Sequence, residues 1–148
     1  MRSFSKFVLL ADVDNARISP DELKKIIQKV EAVGDIIYIK LYGLADRKLK
    51  EFSEIINGRC CDVAPVLRGK QKSRKSLLDI RIIVDAVKLA ERGAADSFAI
   101  IAGEGDYGYM LSALKAMGKF IAGKFASGIN QSFLDMYLGD QPDVSQLY

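Results

Sequence analysis

The chain has 148 residues, with no histidine, no tryptophan, two cysteines and three prolines. Without histidine, Ser-His-Asp and Cys-His triads, imidazole general bases and most zinc sites are excluded. Catalysis would have to use carboxylates, lysine, tyrosine, serine, or a hard metal held by oxygen. Cys60 and Cys61 are adjacent and have no second pair, so neither a disulfide framework nor a zinc knuckle can be built. They read as small core or strand residues of a reducing compartment. Long apolar runs are missing as well, and nothing approaches the ~18 residues of a membrane span. Arg2 and Lys6 flank the short run Phe7–Ala11, which is below the ~7–15 residues of a signal h-region and is ended by Asp12. The expectation is a chain that stays in the cytoplasm and does not enter membranes.

What is present suits one soluble domain. The apolar fraction is 49% and the charged fraction 28%, at a length that can bury a core. The net charge of +3 is modest, but its distribution is uneven. Arg68, Lys70, Lys72, Arg74 and Lys75 lie close together with no acid between them. Such a run is either a solvated loop or a contact for a polyanion.

Strand and helix patterns alternate throughout. Phe7 to Val13 reads as a strand buried on both faces. Ser19-Pro20-Asp21-Glu22 reads as a capped helix start, with Leu23, Ile26, Ile27 and Val30 inward and Gly34 as the stop. Ile36 to Leu41 is the second strand, and a helix from Asp46 to Asn57 follows. Cys60 to Leu67 is the third strand, and the basic segment leads into a helix from Ser76 to Arg92. Ser97 to Ala102 is the fourth strand, Asp106 to Met117 a helix, Lys119 to Phe125 the fifth strand and Asn130 to Leu138 a terminal helix. The expectation is a single α/β domain over residues 1–148, with its core at about 6–138 and a tail over 139–148. Its sheet is doubly wound, mainly parallel and five-stranded, with helices on both faces. Such sheets bind ligands beyond the carboxyl ends of the strands, where the strand order reverses, here between the first and fourth strands.

Three groups of acids fall at that edge. Asp12 directly continues an apolar run, and Asp14 shares its face if the strand stays extended. Asn15 follows, and an Asp/Asn turn is one account of the group, but it is weaker for Asp12, whose place at the end of an apolar run favours a site. Asp79 lies on the apolar face of its helix, among Ile82, Ile83, Ala86 and Ala90. A capping box from Ser76 to Asp79 explains it equally well. Asp85 joins Arg81, Lys88 and Arg92 in a charged stripe and reads as a solvated ion-pair face. Gly103-Glu104-Gly105-Asp106 follows the fourth strand; Asp106 could cap the next helix, but that leaves Glu104 unexplained. Packed carboxylates repel unless protonated or bridged by a cation, and all-oxygen ligands suit Mg²⁺ or Mn²⁺. A hard metal beside a phosphate-binding basic segment points to phosphoryl chemistry.

These residues resemble the NYN domains, in the LabA-like branch of the PIN-like nuclease superfamily. The likeness runs through Val8–Asn15, Tyr42-Gly43, Lys75–Asp79 with Ile82–Ala86, Ile100–Tyr107, Gly118–Gly123 and Ser132–Leu134. It implies that Asp12, Asp79, Glu104 and Asp106 hold Mg²⁺ or Mn²⁺. Asn15 would orient water or substrate, with Asp14 and Asp85 as secondary candidates. Arg68, Lys70, Lys72, Arg74 and Lys75 would hold the nucleic acid. The implied activity is metal-dependent hydrolysis of phosphodiesters in single-stranded RNA, with a homodimer left open. Two positions depart from the family pattern: Ala102 stands where serine is frequent, and Glu104 where aspartate is. They leave room for an RNA-binding or regulatory module that no longer cleaves. Asp12-Val13-Asp14 also resembles the nucleophile motif of haloacid-dehalogenase-type phosphatases, although Ala16 does not fit that motif.

Overall fold

A computed structural model describes residues 6–64, 71–102 and 107–125; for Asn15, residues 71–79 and residues 123–125 it describes the backbone alone. Strand β1 (Lys6–Asp12) carries the unbroken apolar run and is covered on both sides. It ends one residue earlier than expected, because Val13 already begins the single turn α1 (Val13–Ala16). Helix α2 (Pro20–Glu31) starts as its sequence dictates: Ser19 Oγ accepts the Glu22 N–H at 3.1 Å, and Pro20 sits in the first turn. Gly34 is not its stop. The helix closes at Glu31 with Ala32 as C-cap.

Strand β2 (Asp35–Tyr42) follows. The expected single helix after it is two, α3 (Asp46–Glu51) and α4 (Ser53–Gly58), broken at Phe52 with φ −96° and ψ 5°. Phe52 is buried, as is Ile55. Strand β3 (Cys61–Val63) is short, and the rest of the expected third strand lies outside the described residues. Helix α5 (Gln71–Arg92) begins five residues before the expected Ser76. Strand β4 (Ser97–Ala102), helix α6 (Gly108–Ala116) and strand β5 (Phe120–Phe125) complete the order. The expected glycine-rich turn 103–106, terminal helix 130–138 and tail 139–148 lie outside the described residues.

The strands form one sheet in the order β3-β2-β1-β4-β5, and every neighbouring pair is parallel. The chain winds outward from β1 to β3, then returns to lay β4 on the other side of β1. That is the doubly wound arrangement, with its reversal between β1 and β4 as expected. Alternation along the strands splits the core in two. Phe7, Leu9 and Ala11 of β1 pack with Ile39, Leu41 and the inner faces of α2 and α4. Val8 and Leu10 pack on the opposite side with Phe98, Ile100, Ile82 and Ala86 of α5, and Met110, Leu111 and Leu114 of α6. Each fully buried large aliphatic contributes about 1.5–3 kcal/mol. The register shifts once, between Phe7 and Val8, and from there Val8 pairs with Tyr38 and Leu10 with Lys40. This shift turns Tyr38, Lys40 and Tyr42 toward α5.

Candidate functional site

Asp12 is the last residue of the central strand and pairs with Tyr42, the last residue of β2. On the other side Ala11 pairs with Ile101, which sets Asp12 beside Ala102, the last residue of β4. Alternation from Val8 and Leu10 aims Asp12 at the α5–α6 side. The carboxylate is wholly buried at the point where the strand order reverses. A group of this kind is kept inside only by neutralisation, a partner or a cation. Ala102 is equally buried, and its methyl offers the carboxylate no hydrogen bond.

Gly43 has φ +80°, and an alanine Cβ there would fall 2.9 Å from Asp14 Cβ and 3.1 Å from Asp12 Oδ1. The loop after β2 therefore packs backbone-close onto the end of β1, a fit that only glycine allows. Asp14 does not share the face of Asp12, contrary to the extended-strand expectation. The chain has already turned into α1, and Asp14 is exposed with an oxygen 3.2 Å from Lys48 Nζ. It is a surface ion pair.

Helix α5 connects the end of β3 to the start of the parallel strand β4, so it runs antiparallel to the sheet with its N-terminus at the carboxyl edge. At ~1.5 Å per residue it is about 33 Å long, against about 23 Å for β1 at ~3.3 Å per residue. Its first turns lie on the side of that edge, and the helix outruns β1 by about 10 Å. Those turns bear Lys72, Arg74 and Lys75, which belong to the helix rather than to a loop. Ser76 is the sixth helical residue, too far inside to be the N-cap, so the capping-box account of Asp79 fails. Asp79 stands one turn before Ile82 and two before Ala86, both of which are buried.

Asp85 is the clearest correction. It is no member of a solvated stripe: it accepts the Tyr42 hydroxyl at 2.5 Å and pairs with Lys40 Nζ at 2.8 Å. Lys40 also lies 5.6 Å from the centre of the Tyr42 ring, in cation–π range. Tyr42 is fully buried. Burial first, and the Asp85 hydrogen bond second, push its phenol well above the ordinary tyrosine value. It is a hydrogen-bond donor throughout the neutral range. Two same-face positions back along β2, Tyr38 donates to Asp62 at 2.8 Å, and burial followed by that bond raises its phenol likewise. The sequence reading missed this tyrosine-carboxylate set. Its signal was the alternation Tyr38-Lys40-Tyr42, which puts three polar tips on one face of a strand.

Of the other anticipated site residues, Glu104, Asp106, Arg68 and Lys70 lie outside the described residues, as do the side chains of Asn15, Lys72, Arg74, Lys75 and Asp79. Glu104 and Asp106 follow Ala102 directly in the chain, and Ala102 adjoins Asp12. Among the described residues no three cysteine or carboxylate groups converge as a metal cluster. None of the described helices is long and apolar enough to cross a membrane.

A family model described as NYN domain matches residues 6–136. The chain belongs to the NYN domain family. A crystal structure of a protein of unknown function from Vibrio parahaemolyticus shares the fold, with a TM-score of 0.67 and 18% identity over 100% of this chain and 99% of that one. No curated protein matches. NYN domains fall in the PIN-like nuclease superfamily, whose members generally depend on a divalent metal and act on RNA. Membership sets the phosphatase alternative aside. The donor chemistry suits a hard cation: Asp12 gives a buried carboxylate oxygen at the carboxyl end of β1.

Proposed function

We propose that this NYN domain is a divalent-metal-dependent endoribonuclease that hydrolyses single-stranded RNA in the cytoplasm, as one domain over residues 1–148 and in the LabA-like branch. The observation that carries this reading is the complete burial of Asp12 at the carboxyl end of the central strand, where the strand order reverses. Asp12, Asp79, Glu104 and Asp106 are the residues that would hold Mg²⁺ or Mn²⁺. When bound, the cation supplies Lewis-acid polarisation of the scissile phosphate and offsets the charge of the leaving oxygen. Asn15 orients the attacking water, and Lys72, Arg74 and Lys75, with Arg68 and Lys70, hold flanking phosphates by charge. The antiparallel course of α5 supports this division of labour, since it carries a basic segment and an acid to the edge where Asp12 ends.

The test is cleavage of an unstructured RNA oligonucleotide with Mn²⁺, Mg²⁺ or EDTA, beside Asp12→Asn. Asn matches Asp in volume, so the fold is kept while the charge is lost. Cleavage that needs the metal and disappears in Asp12→Asn supports the reading. Cleavage that survives EDTA or the substitution refutes it. One observation favours a second reading, a module that binds RNA without cutting it: the Ala102 methyl buried beside Asp12. RNA binding with no heat of Mn²⁺ binding in calorimetry would select that reading.

A further inference from the structure

The proposed chemistry leaves one polar cluster on the α5 side of the sheet unused. Lys40 and Tyr42 of β2 both reach Asp85 of α5, at 2.8 and 2.5 Å, and the Lys40 ammonium sits 5.6 Å from the centre of the Tyr42 ring. We propose that Tyr42, Lys40 and Asp85 form a positioning latch that fixes α5 along its own axis against β2, and so sets where Asp79 stands relative to Asp12. The latch rests on the metal-dependent reading given above.

Among the described residues α5 buries Ile82, Ala86 and Ala90, with Ile83 and Leu89 packed beside them. Apolar attraction is non-directional, and the two alanines are small knobs. Burial therefore holds α5 down but defines its axial position only loosely. The Tyr42–Asp85 hydrogen bond does choose, because it weakens steeply once its geometry is lost, and the Lys40 ammonium holds the same carboxylate by charge. The Tyr42 phenol is raised by burial and stays a donor at neutral pH, so the latch is not released there. Finally, the strand end of the latch leads straight to the site. Tyr42 pairs in register with Asp12, and Gly43, the next residue, lies against Asp12 and Asp14. On the helix side Asp79 is six residues from Asp85, about 9 Å along the axis. One short connection thus spans from Asp12 to Asp79. Neither Tyr42 nor Asp85 need touch substrate: they are positioning residues.

Misplacing a catalytic group by about 1 Å costs on the order of 10²-fold in rate. Loss of an outer partner of a metal ligand costs about 10–100-fold in metal affinity. Phosphate contacts made by flexible lysines tolerate such a shift. The expected pattern for Tyr42→Phe, which removes only the hydroxyl, is a kcat lower by about 10–100-fold and a Mn²⁺ Kd weaker by at least about 10-fold. KM for RNA stays within about threefold. Asp85→Ala shows the same pattern, and Asp85→Asn, which still accepts from Tyr42 but loses its charge, falls between it and the native protein.

The experiment titrates Mn²⁺ alone, read by the electron paramagnetic resonance signal of the free ion, and measures kcat and KM beside it. Amide hydrogen exchange over α5 in the metal-free protein gives a third readout. Faster exchange in α5 together with weaker Mn²⁺ binding and lower kcat supports the latch. Faster exchange with unchanged Kd and kcat overturns it, leaving a structural contact only. Unchanged exchange overturns it as well, since α5 was then fixed by its apolar face. A native protein that neither binds Mn²⁺ nor cuts RNA overturns the nuclease reading and the latch with it. That outcome is told apart because it is read on the native chain.

Discussion

Gly43→Ala tests the closeness of the site's two loops, and its cost follows from two distances and one angle. The backbone there has φ +80°, which an L-residue with a Cβ adopts at a cost of about 1–2 kcal/mol. The new Cβ would also lie 2.9 Å from Asp14 Cβ and 3.1 Å from Asp12 Oδ1. Asp14 Cβ is fixed to its backbone and cannot swing aside, so α1 itself must move. Overpacking of this kind costs about 1–3 kcal/mol. Alanine lowers the entropy of the unfolded chain, which offsets about 0.4–1 kcal/mol. The net loss is about 1–4.6 kcal/mol by these terms, and at ~2–4 °C per kcal/mol the Tm falls by roughly 8 °C at the middle of the range.

Gly93→Ala separates strain from clash. Gly93 has φ +72°, and its Cβ would meet nothing within 4 Å. That variant carries the backbone strain and the entropic offset alone, a net of about 0–1.5 kcal/mol. The assay is thermal unfolding followed by circular dichroism, with Mn²⁺ titrated into each folded variant at 20 °C. Gly43→Ala should lose the larger Tm and weaken Mn²⁺ binding by at least about 10-fold, since moving α1 displaces the carboxylate of Asp12. Equal Tm losses in the two variants would refute the close approach of the loops. A large Tm loss with native Mn²⁺ affinity would detach that approach from the site.

Three further outcomes are expected. Asp79→Asn abolishes Mn²⁺-dependent cleavage with little change in Tm; full activity would reduce Asp79 to a packing role. Replacing Lys72, Arg74 and Lys75 with glutamine weakens RNA binding and lowers the slope of log K against log salt by about 2, at ~0.7 per phosphate contact on a single strand; an unchanged slope would make these turns a solvated surface. Stability should be level near neutrality and fall in alkali. Unfolded tyrosine ionises near 10.0 and unfolded cysteine near 9.0, whereas in the fold Tyr42 and Tyr38 are raised, chiefly by burial, and Cys61 is pushed up to about 11. The unfolded chain therefore loses these protons first. Their contribution is complete below about pH 9 and is lost as pH climbs through the folded values, and Tyr42→Phe should flatten part of that fall in a plot of Tm against pH.

Much of the fold was legible because its signals are local. The run Phe7–Ala11 needs no partner to be recognised as a buried strand, and Ser19 with Glu22 spells a helix start within four residues. The α/β alternation then left one topology with its reversal between β1 and β4, and it is the one found. The failures came where tertiary packing overrode local pattern. Nothing near Phe52 marks the break between α3 and α4, where a buried residue leaves helical geometry. Gly34 looked like a helix stop, yet α2 ends before it, on Ala32. The face of Asp14 depended on whether the strand ran one residue further, and a single step of that kind reverses every side chain.

Asp85 shows why composition around a helix is a poor guide to what a charge does there. On α5 it shares a wheel sector with Arg81 and Lys88, and i,i+4 pairing would have been worth a few tenths of a kcal/mol at the surface. The real partners come from β2, more than forty residues earlier, and are met only because a register shift at Phe7–Val8 turns Lys40 and Tyr42 toward the helix. No window of sequence contains both halves of that contact. Asp79 presents the opposite case. Its capping explanation was local and plausible, and it fell because α5 begins at Gln71. No longer needed as a cap, Asp79 requires a different reason to be there. On the function proposed above, α5 brings its N-terminal end to the carboxyl edge where Asp12 is buried, and a shared cation supplies that reason.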